Sequence, residues 1–349
     1  MPGTGLDPNH LEARAWIALQ IELALAPEAA VRSLRALGDP RRALARERPG
    51  AKLPESRIDA ARDAFRSAGA SLLPFQGQGY PERLLRIADP PVLLGVLGDP
   101  RVLSAPSVAI VGARAASVYG LSVARSLAAS LAAAGVVVVS GLARGVDAAA
   151  HEGALAAGGC SVAVQACGLD RVYPAAHRGL ARRIAARGAV LSEMPPGTPP
   201  RGPYFPLRNR IISGLCAAVV VVEARHRSGS LVTARHALAQ GVEVLAVPGP
   251  VDVPTSEGPN ALLRDGAAPV LDASDVLAVF GLSPAERPAP TPLPASQRAI
   301  VDALHHERAS ADELARRLRR PVAELALDLV ELEIGGRVRC DRDGRLRAL

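Results

Sequence analysis

The chain has 349 residues, 49% of them hydrophobic and 21% charged, which makes room for two or three domains and excludes a disordered polymer. Its net charge of +7 favours a polyanionic partner, because a basic surface attracts phosphates over a Debye length. Nearly all the positive charge is arginine, with Lys52 the single lysine; a GC-rich genome explains that bias as readily as a need for bidentate phosphate contacts.

Residues 1–72 carry helical spacing with no strand signal. Asp7 and Glu12 stand where a secretory leader needs a basic and then an apolar stretch, so a cytoplasmic location is expected. Leu11, Ala15, Ile17, Leu19 and Leu23 give a first helix, and Pro27 opens a second that closes near Gly38. From Tyr80 the pattern changes to short β-branched runs alternating with alanine-rich helices. The runs are Val108–Gly112, Val136–Ser140, Ser161–Gln165, Ala189–Ser192, Ala217–Glu223 and Glu243–Val247. Such alternation predicts an α/β domain over residues 73–282, with a mostly parallel sheet and helices on both faces. The uncharged stretch Ser126–Ala143 has the length of a membrane span. Gly135 divides it into an amphipathic helix and a four-valine strand, so no span is expected.

Residues 283–295 are proline-rich and predict a semi-rigid linker. In residues 296–349, helices are expected over Gln297–Leu304, over Ala311–Leu318 behind a Ser310/Glu313 capping box, and from Pro321 to Gly335–Gly336. Val338, Cys340, the Asp343–Gly344 turn and Leu346 then predict a hairpin. Three helices and a hairpin are the order of a winged helix, which docks on DNA or on protein. Glu324, Asp328, Glu331 and Glu333 on the third helix would repel phosphates, which favours protein docking.

Four segments fall where strands end and helices begin. In VGARAASVYG, Gly112 permits a tight turn while Arg114 and Ser117 offer donors suited to a phosphate. In SGLARGVDAAAH, Gly141 and Gly145 bracket Arg144 at a helix N-terminus that favours an anion. FPLRNRIISGL sets Arg208, Asn209 and Arg210 beside Tyr204 and Phe205, the mix of charge and flat rings that tracks a backbone and stacks bases. Rings plugging the loop bases are the alternative there. RSGSLVTA puts Ser228, Gly229, Ser230 and Thr233 at another helix start, where a plain N-cap is the alternative. Neither GxGxxG with its ribose-binding acid nor GxxxxGK[ST] occurs, so dinucleotide binding and P-loop hydrolysis lack support. Asp147, His151, Asp170 and Glu193 do not have the spacing of a fixed acid/base set. The four cysteines lack CxxC or Cys/His spacing, so neither zinc nor a disulfide framework is expected.

Taken in order, VGARAASVYG, VSGLARGVDAAAHEGAL, CGLDRVYP, LSEMPPGTPP, FPLRNRIISGL, VVEARHRSGSLVTARHALAQG, VLAVPGP and GPNALLRDGA resemble the DprA (Smf) family over about Tyr80 to Phe280. The resemblance implies a sterile-alpha-motif-like helical N-terminal domain over residues 1–72 and a Rossmann-like core that binds single-stranded DNA and dimerises. It also implies loading of a RecA-type recombinase in natural transformation, with a single-strand-binding protein as a further candidate partner. No catalytic residue, cofactor, metal or membrane is implied. The DNA-contacting positions carried over are Gly112, Arg114, Arg144, Arg208, Asn209, Arg210, Ser228, Gly229, Ser230 and Thr233, with Arg114 and Arg210 ranked first. This chain departs from the family pattern twice: Leu207–Arg208 stands for the usual basic pair, and Gln165–Ala166–Cys167–Gly168 for the usual LGxG. The competing class is a nucleotide-processing phosphoribohydrolase of the cytokinin-activating type, using Glu193 or another acid, but its PGGxGT signature is absent.

Overall fold

The chain opens on helices α1 (Leu11–Leu23), α2 (Pro27–Leu37), α3 (Pro40–Glu47) and α4 (Glu55–Ser67), in a computed structural model that describes residues 5–50, 53–282, 293–334, 337–341 and 344–348. Local chemistry sets their ends. Prolines start α2 and α3, where a missing N–H costs nothing, and Asp39 accepts the Arg42 N–H at 2.9 Å. Gly38 ends α2 at φ +66°.

The α/β part follows. It runs β1 (Ser71–Pro74), α5 (Glu82–Leu85), β2 (Leu93–Gly98), β3 (Ser107–Val111), α6 (Val118–Ala133), β4 (Val137–Ser140), α7 (Val146–Ala156), β5 (Ser161–Val164), α8 (Arg178–Arg187) and β6 (Ala189–Ser192). It continues through α9 (Tyr204–Leu215), β7 (Ala218–Val221), α10 (Gly229–Ala239), β8 (Glu243–Ala246), α11 (Glu257–Arg264), β9 (Ala268–Pro269) and α12 (Ala273–Ala278). One sheet orders the strands β1-β2-β6-β5-β4-β3-β7-β8-β9. From β6 to β9 every pairing is parallel, while β2 runs antiparallel to both β6 and β1. Each strand expected from the β-branched runs forms, with ends shifted by at most two residues. Two strands give no such signal: β1 is SLLP and begins inside the segment expected to be all helical, and β2 is the unalternating run LLGVLG. Gly135, at φ +80°, makes the turn from α6 into β4, and no described helix is long and apolar enough to cross a membrane.

The central strands are apolar along both faces because both are covered. Val108 and Ile110 of β3 pack with α6, α7 and α12, while Ala109 and Val111 join a second core shared with α9, α10 and the N-terminal helices. Phe65 of α4, Leu19 and Leu23 of α1 and Leu72 of β1 belong to that second core. Gln20 of α1, fully buried, donates to the carbonyls of Leu93 at 3.3 Å and Glu193 at 2.8 Å.

Contacts divide the chain into two compact units, residues 1–285 and 286–349. The second holds α13 (Ala295–His306), α14 (Ala311–Leu318), α15 (Val322–Ile334) and the antiparallel pair β10 (Val338–Cys340) and β11 (Leu346–Ala348), the order of a winged helix. Ser310 and Glu313 form the reciprocal cap, with bonds of 3.2 and 2.8 Å. Ile300, Leu304, Leu314, Leu325, Leu332, Val338 and Leu346 make its core. The acids of α15 are partly engaged within the unit: Asp328 with Arg320 at 2.9 Å, and Glu331 with Gln297 at 2.6 Å. Most of the expected linker, residues 283–292, lies outside the described residues, as do Gly335, Gly336 and Asp343.

Candidate nucleic-acid interface

β3 and β7 are neighbours in the sheet, yet the chain leaves β3 toward β4 and β7 toward β8, on opposite sides. Where connections diverge in this way, the loops beyond the strands' carboxyl ends separate and leave a crevice. Here it is a cavity of about 550 Å³. Its walls are Gly112–Ala115 after β3, the stretch from Arg225 to Thr233 after β7, and Phe205 to Asn209 of α9.

Two glycines let the loops approach each other. A Cβ on Gly112 would stand 2.6 Å from the Val146 side chain and 3.0 Å from the Glu223 carbonyl. Gly145, at φ +75°, would place one 2.2 Å from the Ala113 carbonyl. The floor is polar and buried. Arg208, 4% exposed, donates to the carbonyls of Gly141 at 2.8 Å and of Val164, and Asn209 donates to the Gly229 carbonyl at 3.1 Å. Burial lowers the Arg208 guanidinium to about 10, a shift that the nearby Asp147 charge opposes. Asp147 is raised by its own burial, while Arg208 and the N–H groups of Ala143 and Gly141 pull it back.

The rim is where charge meets solvent. Arg114, Arg225 and Arg227 are exposed, line the crevice and make no ion pair among the described residues. Arg114 lies over Phe205 with its guanidinium carbon 5.1 Å from the ring centroid, and Tyr173 packs on the same ring at 5.6 Å. A cation and a second ring thus flank one flat surface.

Of the residues singled out in the sequence, Gly112, Arg114, Phe205, Arg208, Asn209, Ser228, Gly229, Ser230 and Thr233 line this one cavity. Four do not. Ser117 caps α6, accepting the Gly120 N–H at 3.0 Å and donating to Glu223 at 2.5 Å, so its hydroxyl is engaged. Arg144 is exposed but lies outside the lining. In the first turn of the helix beside it, the Val146 N–H bonds to the Ala113 carbonyl at 3.2 Å, and the Asp147 carboxyl takes the loop N–H groups of Gly141 and Ala143. Tyr204 faces a different cavity, lined by α1, α4 and the loop before α9. Arg210, ranked among the first two, is 1% exposed and held by Asp89 at 2.8 Å and Glu193 at 2.6 Å. Conversely, Arg225 and Arg227 do not stand out in the sequence, although RHR is separated from the apolar run of β7 by only Glu223 and Ala224, at a strand's carboxyl end.

The acids considered as a catalytic set are each engaged separately. Asp147 caps a loop, Asp170 accepts the Gly197 N–H at 2.8 Å, and Glu193 holds Arg210. His151 is buried against Ser161 at 2.7 Å, and burial lowers it to about 3. No three His, Cys, Asp or Glu residues gather as a metal site among the described residues.

A family profile described as DNA recombination-mediator protein A matches residues 71–281, and one described as the DprA winged helix domain matches residues 284–344. The chain belongs to this family. Protein Smf of Escherichia coli (strain K12), a relative, is 41% identical over 79% of this chain and 77% of its own length. The X-ray structure of DNA processing protein A from Streptococcus pneumoniae superposes with a TM-score of 0.67 at 33% identity, covering 76% of this chain and 97% of that one. A structure of the Helicobacter pylori DprA protein, described as giving its single-stranded DNA binding mode, matches with a TM-score of 0.55 at 31% identity, covering 60% and 95%. The Rossmann-like core and the winged helix of this DprA-family chain are those expected of the family.

Proposed function

We propose that this chain binds single-stranded DNA through the crevice at the carboxyl ends of β3 and β7, protects incoming strands, and loads a RecA-type recombinase on them in natural transformation and recombination. The observation that carries the proposal is the rim: Arg114, Arg225 and Arg227, exposed and without ion pairs among the described residues, line the crevice together with Phe205, over whose ring Arg114 lies, at a topological switch point. Guanidinium groups displace counterions from phosphates, while the ring stacks on any base. Membership in the recombination-mediator family and the single-strand binding described for the Helicobacter pylori protein support the same reading.

The device is one of binding and not of catalysis. A phosphoribohydrolase reading needs a free acid, and Glu193 is 3% exposed with its carboxylate on Arg210. We place the protein in the cytoplasm as a homodimer formed through the α/β core, since closed symmetric oligomers are the common form. Residues 73–282 serve as the strand-binding domain, with residues 1–72 and 296–349 as accessory domains, the second docking on protein. An electrophoretic mobility shift with a long single strand, challenged by duplex DNA and by an unrelated polyanion, tests the proposal. Binding displaced by duplex DNA and by the polyanion as readily as by unlabelled single strand refutes it.

A further inference from the structure

A second cavity, of about 530 Å³, shares no lining residue with the crevice. It opens beyond the carboxyl end of β5, under α8. Leu97 of β2, Val190 of β6 and Leu169 give it an apolar wall, and Arg178 and Arg182 stand at its edge. Those two arginines are four residues apart on α8, so both reach from one helix face. Both are exposed, and neither makes an ion pair among the described residues.

The decisive residue is Gln165, which replaces the leucine of the family's LGxG pattern. It lines the cavity, is 3% exposed, and its Nε2 has no hydrogen-bond partner among the described residues. Its Oε1 is taken by the Cys167 thiol at 3.8 Å, which leaves the amide donors as its unused capacity. A buried donor without a partner costs stability that a leucine would not cost. The arrangement therefore suits a molecule with a flat apolar body, an acceptor on that body, and an anion at its far end. The cavity's size falls within the range of roughly 300–1,000 Å³ usual for small-molecule sites.

We propose that this cavity holds a nucleoside monophosphate unit, its base against the wall and Gln165, its phosphate on Arg178 and Arg182. The unit is either a free nucleotide or one residue of the strand in the proposed function, and in the second case the inference rests on that reading.

The test uses the full chain. The four deoxynucleoside monophosphates and inorganic phosphate are titrated calorimetrically into the wild type, Gln165→Leu, Arg178→Ala/Arg182→Ala and Arg114→Ala, with long-strand affinity measured beside them. We expect nucleotide affinity to fall by about tenfold or more in the first two variants, a loss of roughly 1.4 kcal/mol, and to hold in Arg114→Ala. The unliganded Gln165→Leu protein should melt no lower than wild type. A parallel loss of strand affinity in Gln165→Leu, with or without measurable mononucleotide binding, assigns the cavity to a nucleotide of the strand. Mononucleotide loss with strand affinity unchanged assigns it to a free nucleotide. Nucleotide binding that survives Gln165→Leu, that is matched by inorganic phosphate alone, or that is absent while strand affinity is unaffected overturns the proposal. A wild type that binds mononucleotides but no strand would instead overturn the strand-binding reading and leave the cavity assigned.

Discussion

Arg210 offers the sharpest separation between a residue that touches DNA and one that holds the fold. Its guanidinium is 1% exposed and lies between Asp89 and Glu193, at 2.8 and 2.6 Å. The Glu193 side chain is itself 4% exposed, and its carboxyl is raised by burial and pulled back mainly by Arg210. Arg210→Ala strands that carboxylate, and removing one partner of a buried pair costs about 3–5 kcal/mol. For a unit of this size the loss corresponds to a fall of about 10 °C in melting temperature. The deficit has a pH signature. Without Arg210 the folded-state value of Glu193 rises further above its unfolded value, so the folded state binds the proton more readily and the deficit shrinks as pH falls. Adding Glu193→Gln should recover part of the loss, since the stranded charge is then gone. Calorimetric melting at about pH 8 and about pH 5 reads both effects, and strand affinity measured well below the melting point should change less than about threefold. A melting temperature within about 3 °C of wild type, together with a tenfold or greater loss of strand affinity, would refute the reasoning and return Arg210 to the interface.

Arg114→Ala should do the reverse, weakening every single strand by about 1–3 kcal/mol and lowering the salt slope by roughly 0.7 with melting unchanged; an unaltered affinity would remove it from the interface. A chain ending at residue 283 should keep strand affinity within about tenfold, and a larger loss in a filter-binding assay would give the winged helix a direct DNA role. His151 is held down to about 3 by burial, against roughly 6.5 when unfolded, so below pH 6.5 the unfolded chain binds a proton that the folded chain refuses. Stability should therefore fall with pH about 1.4 kcal/mol per unit more steeply in wild type than in His151→Leu, and parallel denaturation curves would refute this. Burial raises the Cys167 thiol to about 11 and the Cys216 thiol to about 12, whereas Cys340 is exposed. Ellman's reagent should label Cys340 in the native protein and reach Cys167 and Cys216 only on unfolding, and rapid native labelling of either would contradict that burial.

The sheet was legible because its central strands are covered on both faces, which forces continuous β-branched runs such as the four valines before Ser140. The edge was not: β1 and β2 are leucine-rich runs without alternation, and the pairing of β2 with β6 and of β1 with β2 is set by tertiary contact. Half of the crevice could be read from glycine and arginine at strand ends. The roles of Arg208 and Arg210 could not, since basic residues are rarely buried and the two lie about 200° apart around α9. One turns under the crevice, the other toward Asp89 and Glu193. Arg225 and Arg227 stayed hidden because nothing in RHR says that their side chains lack carboxylate partners.

Arg208 also bears on selectivity. Its Nη1 donates to carbonyls at the ends of β4 and β5, its Nε to Asn209, and the Asn209 amide to Gly229. These donors all point inward and brace two strand ends into a fixed floor. In the proposed function, a base in the crevice would meet the Phe205 ring and the arginines of the rim, while the Arg208 and Asn209 donors are spent on the backbone and cannot read its edge. Under the proposed function, the grip should thus be indifferent to the text of the strand it holds.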